Sequence, residues 1–294
     1  MNRCIGCGIK LQNKYVDQLG YTKDLANKYC ERCFRTIHYN EERKVNNIDN
    51  YAIIDKINKL SYYTLFITDL LSINESVIDI YRRINNLKVL IINKCDIIPN
   101  TLKLDHLKDN IKKVYNISED VYFISAKKKY NLSNIIETIT ANKKVILCGE
   151  TSSGKSTLIN NLISTNLTTS KYSNTTLDFI KLEYEGYSIY DSPGINMNEK
   201  NIYDKIKINT KQVNDKYILS INDIKIRCNG NLTFIVANNC SISSKKYSVN
   251  LGKKMNIPAN SDIIIGGYGF IYVKKGIMIE SNKELKIRKS IISK

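Results

Sequence analysis

With 294 residues, 43% hydrophobic and 25% charged, the chain has room for about two domains with cores of their own, which excludes wholesale disorder and a fibrous protein. Its net charge of +17 rests on 37 Lys against 8 Arg, in a composition rich in Asn (36) and poor in Ala (6), a bias that AT-rich coding produces. Position says more than total: residues 201–294 hold 17 basic and 6 acidic side chains against 28 and 22 in residues 1–200, a field suited to phosphate backbones.

The longest near-apolar stretch, 263–273, is shorter than the roughly 18 residues that span a bilayer, so no membrane partner is expected. The opening MNRCIGCG has neither a charged start leading into an apolar run nor an Arg/Ser-rich leader. The expectation is a protein that works where it is made, in the cytoplasm, or in an organelle if an organelle encodes or imports it.

Two CxxC pairs come first, Cys4 with Cys7 and Cys30 with Cys33, 22 residues apart. That spacing lets four thiolates converge on one tetrahedral Zn²⁺, and four sulfurs close the shell, so the metal is structural. Gly6 and Gly8 suit the first turn, where amides face the sulfurs. A redox CxxC needs only one such pair and a preceding strand in a thioredoxin-like unit. His38 is then a surface or contact residue, and Lys10, Arg32 and Arg35 ring the module with positive charge. Cys95, Cys148, Cys228 and Cys240 stand beside apolar residues and are packing groups.

LKVLIINKCD, residues 87–96, predicts a buried strand that delivers Asn93, Lys94 and Asp96. Asp96 suits the N1 and N2 donors of guanine, Lys94 can lie along base and ribose, and Asn93 can tie this loop to the phosphate loop. A second strand, 121–125, ends in Ser125-Ala126-Lys127, where the Ala126 amide can reach the guanine O6. Adenine offers no such donor pair, so the pattern favours GTP over ATP.

KKVILCGETSSGKST, residues 143–157, reads as strand, phosphate loop and helix. The loop is Gly149, Glu150, Thr151, Ser152, Ser153, Gly154, Lys155, Ser156 and Thr157. Its glycines let amides turn toward the phosphates, Lys155 bridges β and γ, and the Ser156 hydroxyl binds Mg²⁺. SNTTLD, residues 173–178, offers Thr176 as the switch threonine on Mg²⁺, with Thr175 as its adjacent rival. YSIYDSPG, residues 187–194, ends a strand in DxxG, with Asp191 holding Mg²⁺ through water and the Gly194 amide sensing the γ-phosphate. Lys155, Thr176 and Gly194 are therefore the candidate catalytic groups.

The base-reading motifs precede the phosphate-reading ones, the reverse of the common order. A P-loop GTPase domain cut and rejoined at an exposed loop gives that order, because its strands pair wherever the chain ends. The expected architecture is α/β: a Cys4 zinc module at 1–45, a circularly permuted GTPase domain at 46–210 with a mixed, mostly parallel sheet and flanking helices, and a basic β-rich domain at 211–294. In the last, short alternating runs broken by glycines predict strands. Lys245, Lys246, Lys253, Lys254, Lys274, Lys275, Lys286, Arg288 and Lys289 are candidate phosphate contacts, and Tyr247, Tyr268 and Tyr272 candidate base-stacking groups. The GG-x-G run at 266–269 has no helix after it and reads as a tight turn.

CIGCG with CERCFRTIHYNE, FITDLLSINES, NKCD, SAK, the phosphate loop, NTTLD, DSPG, LGKKMNIP and SDIIIGGYGFIYV, in that order, resemble the YqeH family of circularly permuted GTPases. The resemblance implies a treble-clef-like zinc module, GTP hydrolysis with Mg²⁺, a C-terminal RNA-binding domain, and a role in ribosome biogenesis on the small ribosomal subunit and its rRNA. Ser152 stands where that family commonly has the Asn thought to hold a catalytic K⁺, so a K⁺ requirement does not carry over. Ser173-Asn174 replaces the family's Pro-Gly, and Ile195 follows DxxG where signalling GTPases place a water-orienting Gln. Slow intrinsic turnover, accelerated by a partner, is the expectation, with a nucleotide-dependent RNA-binding module of little or no turnover as the alternative.

Overall fold

β1 (Tyr63–Asp69), β2 (Lys88–Asn93) and β4 (Lys144–Gly149) are buried at every residue but the first, as strands of a sheet covered on both faces must be. With β3 (Val121–Phe123) and β6 (Tyr187–Asp191) they run parallel, and β5 (Ile180–Tyr184) lies antiparallel on β6, in the order β3-β2-β1-β4-β6-β5. This computed structural model describes residues 2–39, 41, 49–163, 177–197, 205–246 and 250–293. Thr175, Thr176 and Tyr247 lie outside the described residues.

On one face Leu65, Ile67, Val89, Ile91 and Leu147 pack with Ile135 and Ile139 of α5 (Ser133–Asn142) and Leu158 and Ile159 of α6 (Lys155–Ile163). Phe66 points the other way along β1 and meets Tyr81 of α3 (Glu75–Arg82) edge-on, centroids 5.5 Å apart. The chain fills the sheet outward from β1 to β3, then returns to the other side of β1 with β4. The switch point between β1 and β4 is where an open α/β sheet leaves a crevice for a ligand. Register sets Asp69 opposite Asn93, Ile67 opposite Gly149, and Leu147 opposite Asp191, so the functional ends of four strands share one edge.

The chain divides into two compact units. Met1–Asp69, Glu75–Cys95 and Glu119–Asn198 make the first, which joins the cysteine module to the nucleotide sheet. Leu70–Asn74, Asp96–Ser118 and Glu199–Lys294 make the second. The expected boundaries at 45/46 and 210/211 follow the chain. Contact instead assigns two short excursions, leaving the ends of β1 and β2, to the C-terminal third.

That second unit is a pair of five-stranded antiparallel sheets. One holds β7 (Ile206–Val213), β10 (Gly230–Ala237), β13 (Ser261–Ile265), β14 (Gly269–Val273) and β16 (Ile287–Lys289), in the order β16-β13-β14-β10-β7. The other holds β8 (Tyr217–Ile221), β9 (Ile224–Cys228), β11 (Ile242–Lys246), β12 (Lys253–Ile257) and β15 (Ile277–Ser281), in the order β11-β8-β9-β15-β12. Leu219, Ile226, Leu232, Phe234, Ile263, Ile271 and Ile279 share their core. The glycine run is the turn from β13 to β14, with Gly267 at φ 70.

Arg288 is internal rather than available to phosphate. Its Nε donates to Asp262 Oδ2 at 3.1 Å, and its Nη1 to the Tyr115 hydroxyl at 2.7 Å and the Ile73 carbonyl at 2.5 Å. It also lies 4.7 Å from the Phe270 ring centroid. Tyr115 ends α4 (Leu104–Tyr115), which buries Leu107 and Ile111 and offers Asn110 to the carbonyls of Ile291 and Ser293. One guanidinium therefore gathers both excursions onto the β-rich core. Lys245, Lys246, Lys253 and Lys254 are exposed on the two edge strands of one sheet, where lysine also blocks edge-to-edge pairing.

Candidate nucleotide site and four-cysteine centre

β4 feeds the loop at Gly149, and α6 begins at Lys155. A Cβ on Gly149 (φ 141) would come 2.0 Å from the Ile67 carbonyl, and one on Gly154 (φ 97) 2.3 Å from Asn93 Nδ2, so both positions admit glycine alone. Ser152 is left-handed at φ 60. Ser153 Oγ donates to the Glu150 carbonyl at 2.7 Å, and Thr68 Oγ1 donates to the Glu150 carboxylate. Lys155 is 7% exposed and makes no ion pair among the described residues, a buried ammonium at a helix N-terminus that suits a polyphosphate. Ser156 and Thr157 follow in the first turn of α6.

The DxxG segment is stitched to this loop. Thr151 N–H donates to the Ile195 carbonyl at 3.0 Å, and Ile195 N–H to the Gly149 carbonyl at 2.9 Å. Gly194 abuts Thr151, where a Cβ would lie 2.8 Å from Cγ2. Asp191 ends β6 fully buried, and Ile195 is buried too. The Asp191 carboxylate and the Ser156 hydroxyl are oxygen donors of the kind Mg²⁺ takes. Magnesium bound there would neutralise phosphate charge, and Lys155 and the loop amides would orient the nucleotide.

Asn93 joins the base loop to the phosphate loop. Its Nδ2 donates to the Ser153 carbonyl at 2.8 Å, and its Oδ1 accepts from the Ala126 N–H at 2.9 Å. Asn161 of α6 holds the Ala126 carbonyl at 2.5 Å, and Ser125 pairs both ways with Tyr130. Three sequence motifs therefore meet at one side chain: Ala126, Ser153 and Gly154 all lie against Asn93. Lys94 is left-handed at φ 63 and its Nζ lies 3.1 Å from Asp69 Oδ2, a carboxylate 1% exposed. Asp96 is exposed in the one-turn 3-10 helix Cys95–Ile97, and Lys127 is exposed beyond Ala126.

Sequence reasoning missed the Thr68–Glu150 and Asp69–Lys94 pairs. The signal was present: β1 is an apolar run that ends in a polar pair, Thr68-Asp69, where packing alone asks for neither.

In the N-terminal module Cys4, Cys7, Cys30 and Cys33 are all buried, with their sulfurs within 4.8 Å of one another. A tetrahedron with Zn–S bonds of ~2.3 Å has edges of ~3.8 Å. The Cys7–Cys30 sulfur separation is 3.8 Å, and the Cys30 N–H donates to Cys4 Sγ at 3.2 Å. Cys30 opens α1 (Glu31–Tyr39), with Cys33 in its first turn. Hydrogen bonds split the cluster: Cys4, held by Cys30, and Cys30, held by Cys33, sit below the usual thiol value, Cys30 at about 7. Contact with Cys30 pushes Cys7 and Cys33 above it. Donor set and spacing fit a closed structural zinc site.

A six-stranded sheet with the phosphate loop in its middle, reached after the base-reading strands, defines a circularly permuted GTPase fold. Residues 31–201 match the model of the RsgA GTPase family, and the chain belongs to that family, with the YqeH-type order of motifs. It is 32% identical over 214 residues to "Uncharacterized protein YqeH" of Bacillus subtilis (strain 168), a match covering 65% of this chain and 58% of that relative's length. The crystal structure of YjeQ from Thermotoga maritima matches at 19% identity with a TM-score of 0.35, over 48% of this chain and 50% of that one. No helix among the described residues is long and apolar enough to cross a membrane.

Proposed function

We propose that the chain binds and slowly hydrolyses GTP and couples its nucleotide state to binding of rRNA on the small ribosomal subunit during assembly. The observation that carries the nucleotide half is the Asn93 bridge, which ties the first residue of NKxD to Ala126 of SAK and to Ser153 of the phosphate loop. The first residue of the guanine motif is thereby fixed against the loop that carries Lys155, which supports one nucleotide reaching both. The ribosomal half rests on family membership and on the basic excess of residues 201–294.

One observation favours slow turnover. The position after DxxG is Ile195, buried, with its backbone committed to Gly149 and Thr151, so it presents no group to an attacking water. Acceleration must come from outside, from a side chain or ion supplied by the partner.

The test is competition binding followed by co-sedimentation with small subunits in a GTP analogue and in GDP. GTP and GDP should outcompete ATP, with Asp96→Asn abolishing the preference, and particles should retain the analogue-bound form. Equal competition by ATP refutes the nucleotide assignment, and nucleotide-independent sedimentation refutes the coupling. Truncation after residue 210 is a poor probe of the coupling, because it strips Asn110 and Tyr115 of their partners Ile291, Ser293 and Arg288.

A further inference from the structure

Three successive residues at the end of β1 reach the loops that carry the base and phosphate motifs. The Ile67 carbonyl accepts from the Glu150 N–H of the phosphate loop at 3.3 Å. Thr68 Oγ1 donates to the Glu150 carboxylate, and Asp69 Oδ2 accepts from Lys94 Nζ at 3.1 Å. Thr68, Asp69 and Glu150 are all buried. Asn93, the neighbour of Lys94, ties the same stretch to the Ser153 carbonyl of the phosphate loop. All of these residues belong to the first compact unit.

A carboxylate as buried as Asp69 demands a cation. Lysine ordinarily buries its stem and turns its ammonium to water. The Lys94 ammonium is instead drawn inward onto Asp69, with 25% of its side chain exposed against 1% of the carboxylate, and a left-handed backbone at φ 63 sets where the stem leaves the chain. Its charge is satisfied inside the fold, and what the side chain has left to offer a ligand is its methylene stem.

From this juxtaposition we infer that Asp69 is a positioning residue for the nucleotide site: it takes up the Lys94 charge and fixes the Lys94 stem as an apolar wall against base and ribose, so that the ammonium itself makes no bond to the nucleotide. Guanine-nucleotide affinity then depends on a balanced pair rather than on a positive charge at position 94. A preset stem favours binding because less side-chain freedom is lost when the nucleotide arrives. The inference rests on the GTP-binding reading above and gives β1, which carries neither a base-reading nor a phosphate-reading motif, a part in placing the base-reading loop.

The experiment uses the full chain with Mg²⁺, and fluorescent GDP and GTP-analogue titrations of wild type, Lys94→Met, Asp69→Asn and the double variant, each well below its measured Tm so that affinities refer to folded protein. Met keeps an unbranched stem and removes the ammonium, whereas Asn keeps an acceptor and removes the charge. Lys94→Met should weaken both nucleotides by about tenfold or more, since it leaves a buried carboxylate without its cation. Asp69→Asn, with a neutral acceptor still offered to Nζ, should weaken them by about three- to tenfold. The double variant should recover most of the loss and bind within about threefold of wild type, as two coupled groups do when both are neutralised. GDP and analogue should fall in step, to within about twofold, because a wall against base and ribose serves both. A double variant as weak as Lys94→Met would mean that the ammonium touches the nucleotide, and overturns the inference. Single variants that melt lower yet bind at wild-type strength when folded also overturn it, because the pair then acts on stability alone. Equal competition by ATP in the wild type overturns the nucleotide assignment instead, so the two failures are separable.

Discussion

Asn93→Ala is the sharpest perturbation of the nucleotide frame. Asn93 is 3% exposed, and its side chain satisfies one buried backbone acceptor, the Ser153 carbonyl, and one buried donor, the Ala126 N–H. Truncation orphans both, and each buried unpaired group costs about 1–3 kcal/mol, so about 2–6 kcal/mol is at stake. The lower figure applies if a water enters the vacated space and bridges the two groups. For a domain of this size about 1 kcal/mol moves Tm by about 2–4 °C, which predicts a drop of roughly 4–24 °C. Guanine nucleotide affinity should fall by about tenfold or more for GTP and GDP alike, because base and phosphate loops no longer share a frame. Gly154→Ala supplies an internal check. Its added Cβ would meet Asn93 Nδ2 at 2.3 Å and would also be strained at φ 97. In the Asn93→Ala background the collision is gone and only the strain remains, so the double variant should be less destabilised than the sum of the singles. Thermal unfolding and fluorescent GDP titration read both effects. A variant melting within about 2 °C of wild type, with unchanged GDP affinity, would show that the two loops are held together by something other than this carboxamide.

Arg288→Met should destabilise by about 3–5 kcal/mol near neutral pH, the scale of leaving a buried charge unpaired. Asp262 is already raised by burial against the opposing pull of Arg288, and losing the cation raises it further. A carboxyl whose folded value exceeds its unfolded one costs stability as pH rises through that interval, so the deficit should shrink toward pH 4 and be largely recovered at all pH values by Asp262→Leu. Urea unfolding across that range decides it, and a pH-independent deficit refutes the assignment. For the cysteine centre, one zinc per chain should be released by a strong chelator. Four of the eight cysteines, all free and buried, should then become reactive to a thiol reagent, and labelling unaffected by chelation counts against a metal.

The parts of the fold that are legible in the sequence are those in which one local cause fixes both structure and role. β1, β2 and β4 are apolar runs that stop at a functional residue, and Gly149 and Gly154 are required by the positive φ that a single loop imposes at both positions. The cysteine pairs are legible because a metal leaves few spacings open. The amphipathic pattern of α4 announces buried Leu107, Ile111 and Tyr115, yet periodicity says nothing of the surface that covers them, and contact assigns them to the C-terminal third. The anchor of Leu177 and Asp178 on Cys7 joins residues some 170 positions apart, and no local signal marks it. One compositional trace was available. With 37 Lys to 8 Arg, an arginine here survives against the bias, and Arg3, Arg35, Arg82, Arg227 and Arg288 all grip carboxylates. A planar fork that serves several acceptors at once is what lysine cannot replace, as Arg288 with Asp262, Tyr115 and Ile73 shows.

Permutation gives the base-reading and the phosphate-reading motifs different neighbours along the chain. Asp69 and Asn93, at the base-reading end, are followed within three residues by segments that belong to the basic β-rich unit. The phosphate-reading end is bounded by Leu177 and Asp178 on the cysteine module and by Ile195 on the phosphate loop. The chain that follows β1 and β2 therefore enters one compact unit, while the segments that flank DxxG stay inside the other.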